Sequence, residues 1–409
     1  MANNLQEQIL EMFFGLQGFS LKKVKLIDNK IYIYIEKNSE HRCSVCNKKL
    51  DNHKYDSYTR KIFLGIVNLK PVYACFKQYR LSCPNCGIRV ESQSISEGKS
   101  RYSKKIGKLV IQYTQHMSCS AASHLLGIAE RTVRKIDKHE LKKKVNNHIK
   151  NVKNIKQIGI DEVSHKKRHN YGTVVVNQAD GKVIWMSQNR STESLEKIYN
   201  KFNHTFRNLE AVSMDFWKPY FKATRIKHPK AFIVYDRFHL SRILNRYIEE
   251  ERRAYQKSLS DDDRKYMKKH TRWLLLRRKK NFEDYHIDRL KELKEKNEKL
   301  YEMYLLKEDF LSIFSHENTR ETAKTMILEW LSTVEKSCLE AIKKFACSVL
   351  KRLKTILNWF DYPISNGKSE GVNNVIKTLL KQGYGYKDFE YFRLKVLQKC
   401  GYLMVNLND

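Results

Sequence analysis

Two closely spaced cysteine pairs restrict the fold of the N-terminal part of this chain more than any other feature. Cys43 and Cys46 are separated by two residues, as are Cys83 and Cys86, and 36 residues lie between the two pairs. This spacing lets a tight turn present two thiolates to one ion, so two such turns complete a tetrahedral zinc site. A structural zinc is predicted, because four cysteines fill every coordination position. The alternative is four unrelated buried thiols.

The residues around these pairs indicate β-strands. Residues 21–37 alternate apolar and polar side chains about a turn at Asp28 and Asn29, which predicts a hairpin. The spacer between the cysteine pairs is longer than in a zinc finger and predicts strands that carry both cysteine turns. We therefore expect residues 1–98 to form a zinc ribbon-like module.

A helix-turn-helix is predicted within residues 99–150. One helix runs from about Ser120 to Leu126, Gly127 interrupts it, and a second helix begins at Glu130. The apolar residues expected in its core are Ala122, Leu125, Ile128, Val133 and Ile136. The side chains expected to face DNA from the second helix are Arg131, Thr132, Arg134 and Lys135. The alternative is an ordinary pair of basic helices.

The charge of the chain indicates the class of partner. It carries 79 Lys and Arg residues against 45 Asp and Glu residues, a net charge of +34, of which +16 lies in residues 1–150. Neutralising a polyanion releases counterions, so nucleic acid is the predicted partner and an ordinary acidic cytosolic enzyme is excluded. No segment approaches the roughly 18 consecutive apolar residues of a membrane-spanning helix, and the first residues lack the order of a secretory signal. We expect a cytoplasmic protein without a membrane partner.

Residues 151–245 contain the predicted chemistry. Their pattern is three strands, a helix and a fourth strand, which is the order of an RNase H-like α/β core. In that fold the first strand is central and the fourth lies beside it. Asp161 ends the first apolar run and Asp215 ends the fourth, so their carboxylates should meet and share magnesium. Asp236 ends the next run and is the alternative to Asp215.

A third carboxylate is expected from the C-terminal part of the chain. Glu370 follows a helix-capping Ser365 or Asn366, and Lys377 lies two helical turns later on the same face, where it can hold a DNA phosphate. About 130 residues separate Asp236 from Glu370, too many for a loop in a compact domain. Residues 246–358 are therefore predicted to be a helical insertion, with residues 359–409 returning to the core.

Several short motifs resemble those of one known family. They are the two CxxC pairs, GIDE at 159–162, SMDFW at 213–217, YDRFH at 235–239 and NGKSEGVNN at 366–374. Nearly the whole chain is similar to bacterial insertion-sequence transposases of the DDE class, the group with a four-cysteine module and a helix-turn-helix. The resemblance implies a multidomain α+β protein whose RNase H-like core is interrupted by the insertion.

The resemblance also implies an activity. Asp161, Asp215 and Glu370 would be the catalytic triad and would bind two Mg²⁺ or Mn²⁺ ions, with Asp236, His239 and Lys377 beside them. The protein would bind transposon ends and target as double-stranded DNA, cleave at the ends, and join the 3′-hydroxyl to the target. A homodimer or higher oligomer on DNA is expected, in the nucleoid of a bacterium. The alternatives are a transcription regulator without catalysis and a structure-specific nuclease of the same fold.

Overall fold

The structure, a computed structural model, describes residues 2–51, 53–166, 170–257, 259–260, 264, 271–383 and 385–403. It is a mixed α+β protein with two five-stranded sheets and many helices. The chain forms two compact units. The N-terminal unit consists of residues 1–149, 379–399 and 403–409, and the central unit consists of residues 150–378 and 400–402. The division into five segments predicted above stays a prediction.

The N-terminal unit contains the first sheet. Its elements are α1 (Ala2–Phe14), β1 (Phe19–Ile27), β2 (Lys30–Lys37), β3 (Lys54–Val67), β4 (Lys70–Cys83) and β5 (Gly87–Val90). The strand order is β1-β2-β4-β3, and β5 pairs with β4. The predicted hairpin is confirmed, because β1 and β2 pair antiparallel across Asp28 and Asn29, which both have positive φ. Buried apolar residues of this sheet form a core with Leu10 of α1 and with Leu16.

Three helices follow the first sheet: α2 (Lys104–His116), α3 (Cys119–Leu126) and α4 (Glu130–Asn151). Between α3 and α4, Gly127 has a φ of +60°, and a Cβ there would lie 2.8 Å from Ile66 Cδ1. The expectation for Leu125 was wrong, because this side chain is 59% exposed while Leu126 is buried. Leu126 lies one helical turn after the buried Ala122 and therefore shares its face.

The central unit contains the second sheet. Its strands are β6 (Gln157–Lys166), β7 (Asn170–Asn177), β8 (Val183–Gln188), β9 (Ala211–Met214) and β10 (Phe232–Tyr235). Helix α5 (Thr192–Lys201) precedes β9, and α6 (Lys218–Lys227) follows it. The strand order is β10-β9-β6-β7-β8, with β9 and β10 parallel to β6 and with β7 and β8 antiparallel. The first strand is therefore central, and the fourth lies beside it.

The first strand continues beyond Asp161, where its apolar run ends. Asp161 lies within β6 rather than at its end, because β7 pairs with β6 along its whole length. The parallel partner β9 stops earlier, at the level of Ile160. Asp161 is therefore the first residue of β6 beyond the end of β9, and it is still paired with β7 on its other side.

Helices make up most of the remaining chain. They are α7 (Arg237–Lys257), α8 (Arg272–Leu276), α9 (Asp284–Lys296), α10 (Glu298–Ser312), α11 (Arg320–Lys336), α12 (Glu340–Leu350), α13 (Leu353–Asp361), α14 (Gly367–Gln382) and α15 (Phe389–Cys400). Helix α14 begins in the central unit, and most of α15 belongs to the N-terminal unit. Among the described residues, no helix is both long and apolar enough to cross a membrane.

A buried polar network attaches α15 to the helices of the N-terminal unit. Asp137 on α4 accepts hydrogen bonds from Thr114 Oγ1 at 2.7 Å and from Tyr391 OH at 2.6 Å. Lys395 Nζ lies 3.0 Å from Asp137 Oδ2 and donates to the carbonyl of Thr114 at 2.7 Å. Burial lowers the pKa of Lys395, and the charge of Asp137 opposes that shift. The network joins α2, α4 and α15.

Replacing Asp137 by alanine is expected to lower the free energy of unfolding by about 3–5 kcal/mol, because it leaves the buried Lys395 cation without its partner. The double variant Asp137→Ala with Lys395→Met should be more stable than the single variant, since neither charge is then buried. Urea denaturation of both variants measures this. A double variant as unstable as the sum of the two single losses would show that the pair contributes only by packing.

Candidate functional site

The four cysteines of the two CxxC pairs converge on one point of the N-terminal unit. The Sγ atoms of Cys43, Cys46, Cys83 and Cys86 all lie within 4.8 Å of one another. The first pair lies between β2 and β3, and the second joins β4 to β5. The residues that follow the pairs, Asn47 and Gly87, both have positive φ, which closes each turn tightly. The cluster lies over the buried Leu50 and Leu81.

Within this cluster, the surroundings of Cys43 favour its thiolate form, whereas the neighbouring thiols of the cluster raise the pKa of Cys86 to about 12. Although burial opposes ionisation, backbone hydrogen bonds from Cys46 and Val45 lower the pKa of Cys43 to about 7. Four sulfur ligands around one point are the donor set that zinc prefers, and no side chain of another type is needed to complete it. The two CxxC pairs found in the sequence therefore form one site that suits zinc.

Three aspartates lie at one level of the central sheet. Ile160, Met214 and Tyr235 are in register across β6, β9 and β10. The next residue on each of these parallel strands is an aspartate: Asp161, Asp215 and Asp236. Because parallel strands run in the same direction, these three positions lie side by side toward the carboxyl ends of the strands. The structure thus brings together two of the three predicted ligands, Asp161 and Asp215, with Asp236, which was held as an alternative.

The carboxylates of this group influence one another. Burial, and then the negative charge of Asp215, raise the pKa of Asp161 to about 7. Burial also raises the pKa of Asp236, which is 5% exposed. Carboxylates this close resist simultaneous ionisation unless a cation offsets their charge. Hard oxygen ligands of this kind suit magnesium or manganese.

His239, near the start of α7, is bound to Asp215. Its Nδ1 lies 2.6 Å from Asp215 Oδ1, and its Nε2 contacts the guanidinium of Arg242. Because a guanidinium can only donate, Nε2 accepts and Nδ1 carries the proton that is donated to Asp215. His239 therefore orients this carboxylate. Among the described residues, Asp215, Asp236 and His239 also form a group with ligand atoms within 4.8 Å of one another.

Helix α14 approaches the aspartates through two asparagines. Asn366, just before the helix, accepts from Ser213 Oγ at 2.7 Å and has its Nδ2 3.4 Å from Asp215 Oδ1. Asn373 Nδ2 donates to Asp161 Oδ2 at 2.8 Å. The helix comes so close that a Cβ at Gly159 would lie 2.7 Å from Ser369 Oγ. A side chain at Gly159 of the GIDE motif would therefore have to displace Ser369 and Gln178.

Glu370 lies on the same face of α14 as these asparagines. It follows Asn366 by four residues and precedes Asn373 by three, the spacing of neighbours on one helix face. Its side chain is exposed, and that of Lys377, two turns later, is exposed as well. The buried Oδ1 of Asn373 has no hydrogen-bond partner among the residues that the structure describes. An unsatisfied oxygen beside clustered carboxylates fits the presence of a bound cation.

A family model named DDE_Tnp_ISL3 and described as a transposase matches residues 158–396. This chain belongs to the ISL3 family of transposases. The matched region contains the three aspartates, His239, Glu370 and Lys377, whereas the cysteine cluster and α2–α4 precede it.

Individual relatives support the same assignment. The transposase for insertion sequence element IS1001 of Bordetella parapertussis is 26% identical over 400 residues, which cover 96% of this chain and 98% of that protein. The transposase for insertion sequence element IS1557 of Mycobacterium tuberculosis is 22% identical over 334 residues, with 75% and 74% coverage. The solved Drosophila P element transposase strand transfer complex covers 73% of this chain and 92% of its own, at 9% identity. Its TM-score of 0.33 is too low to define a shared fold.

Sequence reasoning did not identify Asn366 or Asn373 of the transposase as site residues. Both lie in the NGKSEGVNN motif, and their separation of seven residues places them on one helix face with Glu370. That spacing was the available signal. The role of an amide that orients a carboxylate became visible only when α14 and β6 were seen side by side.

The predicted DNA-facing residues occupy the first turns of α4. Arg131, Arg134 and Lys135 are exposed, and Thr132 is half-buried. Arg134 donates to Glu130 at 2.7 Å on the face that also carries Asp137. That face is turned toward α15, because Asp137 binds Tyr391 and Lys395.

Proposed function

We propose that this transposase cleaves DNA at the ends of its insertion sequence and joins the resulting 3′-hydroxyl to target DNA. The observation that carries the proposal is the register of β6, β9 and β10, which aligns Asp161 with Asp215 at one sheet edge. The strand order of the sheet supports an RNase H-like core, with the helices between α7 and α13 as its insertion.

The catalytic ligands in this proposal are Asp161, Asp215 and Glu370. Asn373 orients Asp161, and His239 orients Asp215. Asp236, at the end of the neighbouring strand β10, lies beside Asp215 and assists it. Two Mg²⁺ or Mn²⁺ ions held there would activate the attacking oxygen and stabilise the leaving oxygen of a phosphodiester. The family match supports this assignment, because its region contains all these positions.

Lys377 would bind a DNA phosphate next to the carboxylates. It stands seven residues after Glu370 on α14, with an exposed side chain. An ammonium group is a point charge without base preference, so this residue contributes to positioning the strand and not to sequence recognition.

The N-terminal unit would recognise the ends as double-stranded DNA. Cys43, Cys46, Cys83 and Cys86 would hold a structural zinc in a ribbon-like module, and α3 and α4 would act as a helix-turn-helix. Arg131, Thr132, Arg134 and Lys135 are the residues proposed to contact DNA. Because Arg134 lies on the side turned toward α15, base contacts are expected first from Arg131 and Lys135. The active form on DNA is proposed to be a homodimer or a higher oligomer.

Incubating the purified protein with DNA that carries the terminal repeats of its own element, in Mg²⁺ or Mn²⁺, tests the proposal. We expect cleavage at the ends and joined products with a target plasmid. Binding to the ends without cleavage would identify a regulator instead. Cleavage of branched DNA without joining would identify a structure-specific nuclease.

A further inference from the structure

A pocket of about 420 Å³ opens in the central unit next to Asp215. One side is formed by α7 and the other by the loop that joins β9 to α6, with Trp217 in that loop. Asp215 and His239 line this pocket, but none of the roles proposed above uses the space inside it. Its volume is within the range of small-ligand pockets and is far too small for a DNA duplex.

Helix α7 presents a positively charged face to this pocket. His239, Arg242 and Arg246 lie at spacings of three and four residues, so they share one face along two turns. His239 binds Asp215, and Arg242 contacts His239. Arg242 and Arg246 are exposed, and Arg246 Nε lies 3.7 Å from a carboxylate oxygen of the exposed Glu250. Two guanidinium groups are therefore available to an anionic ligand.

The wall of the pocket opposite α7 contains the aromatic side chain of Trp217, which its contacts with Arg190 hold in place. The guanidinium of Arg190 packs over the rings of Tyr171 and Trp217, 4.2 and 4.4 Å from their centroids. Glu162 accepts two hydrogen bonds from Arg190 Nη1, at 2.9 and 3.1 Å, and therefore neutralises this arginine. The indole N–H of Trp217 donates to the carbonyl of Arg190 at 2.8 Å. The indole is thus fixed while its surface stays partly exposed.

We propose that this pocket binds one unpaired nucleotide of the DNA strand next to the bond that is cleaved. Arg242 and Arg246 would hold its phosphate, since arginine donates paired hydrogen bonds to phosphate oxygens. Its base would lie against Trp217, since stacking on an aromatic side chain offsets part of the cost of unpairing. An unpaired nucleotide of the bound strand combines these two chemistries and fits a space that excludes a duplex. The inference rests on the proposed function.

The first test measures unpairing directly and without catalysis. The full-length protein is bound to end DNA in EDTA, with thymine placed in turn opposite each position flanking the cleaved bond, and permanganate detects thymine that has lost its base-pair partner. We expect one position to become reactive in the complex and to lose that reactivity in the Arg242→Ala, Arg246→Ala double variant. Arg207→Ala removes an exposed arginine that precedes β9, away from Asp215, and should have no effect. Uniformly unreactive thymines in a saturated complex would overturn the proposal.

The second test uses cleavage rates. Trp217→Ala should slow cleavage of fully paired ends about 10- to 100-fold, the range expected for losing one stacked base. A mismatch that leaves the same nucleotide unpaired should restore most of the cleavage rate that Trp217→Ala loses, because no base pair then has to be broken. Trp217→Phe keeps a stacking ring but lacks the indole N–H, so it should lose less of the cleavage rate than Trp217→Ala, which separates stacking from the hydrogen bond to Arg190. Equal losses on paired and mismatched ends would overturn the proposal.

The permanganate test fails independently of the proposed function. If the protein never cleaves any DNA, yet makes one nucleotide reactive through Arg242 and Arg246, the proposed cleavage and joining are wrong and the proposed nucleotide pocket stands. If the protein cleaves and joins ends without any reactive position, the proposed cleavage and joining stand and the proposed nucleotide pocket is wrong.

Discussion

Replacing Asp215 by alanine is expected to slow cleavage and strand transfer by at least about 10³-fold. A metal ion contributes several kcal/mol of charge stabilisation at a reacting phosphate, and each 1.4 kcal/mol is tenfold in rate. Asp161→Ala and Glu370→Ala should have effects of similar size. Binding to the ends should be unchanged in all three variants, because the proposed recognition elements lie in the N-terminal unit. Single-turnover cleavage and equilibrium binding, measured on the same end DNA, give both quantities.

Asp236 provides the decisive comparison, because it lies at the same level of the sheet as Asp215. Its alanine variant should lose less activity than Asp215→Ala, since we propose that it supports Asp215 instead of replacing it. Glu210→Gln is the matched control, because it removes a carboxylate at the opposite end of β9. An inactive Asp236→Ala protein together with an active Asp215→Ala protein would exchange the roles of these two residues.

Removing one cysteine of the cluster should have the second large effect. Cys43→Ser is expected to bring the zinc content from one ion per chain to nearly zero and to abolish specific binding to the ends. The free energy of binding a structural zinc is about 10–16 kcal/mol in small zinc modules, which is as large as the stability of a typical domain. Elemental analysis, thermal unfolding and binding to end and random DNA measure the three consequences.

Cys75→Ala is the matched control for this variant. Cys75 is a buried thiol of β4 in the same unit but does not belong to the cluster. Its replacement should leave the zinc content and the binding to the ends unchanged. Wild-type protein with much less than one zinc per chain, or a Cys43→Ser protein that still binds the ends, would contradict a structural zinc.

Local patterns were enough to predict several elements. The alternation in residues 21–37 predicted the β1–β2 hairpin, because the period of two and the Asp28-Asn29 turn are properties of adjacent residues. The two-residue spacing of each cysteine pair and their placement between strands predicted a four-cysteine cluster. The apolar pattern was less precise in α3, where Leu125 and Leu126 are adjacent and only packing against the rest of the core selected Leu126.

By itself, the sequence determined which residue types could supply each chemistry: thiolates in pairs, carboxylates after apolar runs, and a basic surface for a polyanion. Only the tertiary structure decided which of them meet. The alignment of Asp236 with Asp215, the approach of Asn373 to Asp161, and the binding of Lys395 to Asp137 each join residues far apart in the chain. Such contacts depend on strand register and helix packing, which arise from the burial of many side chains together and leave no local pattern around any one of them.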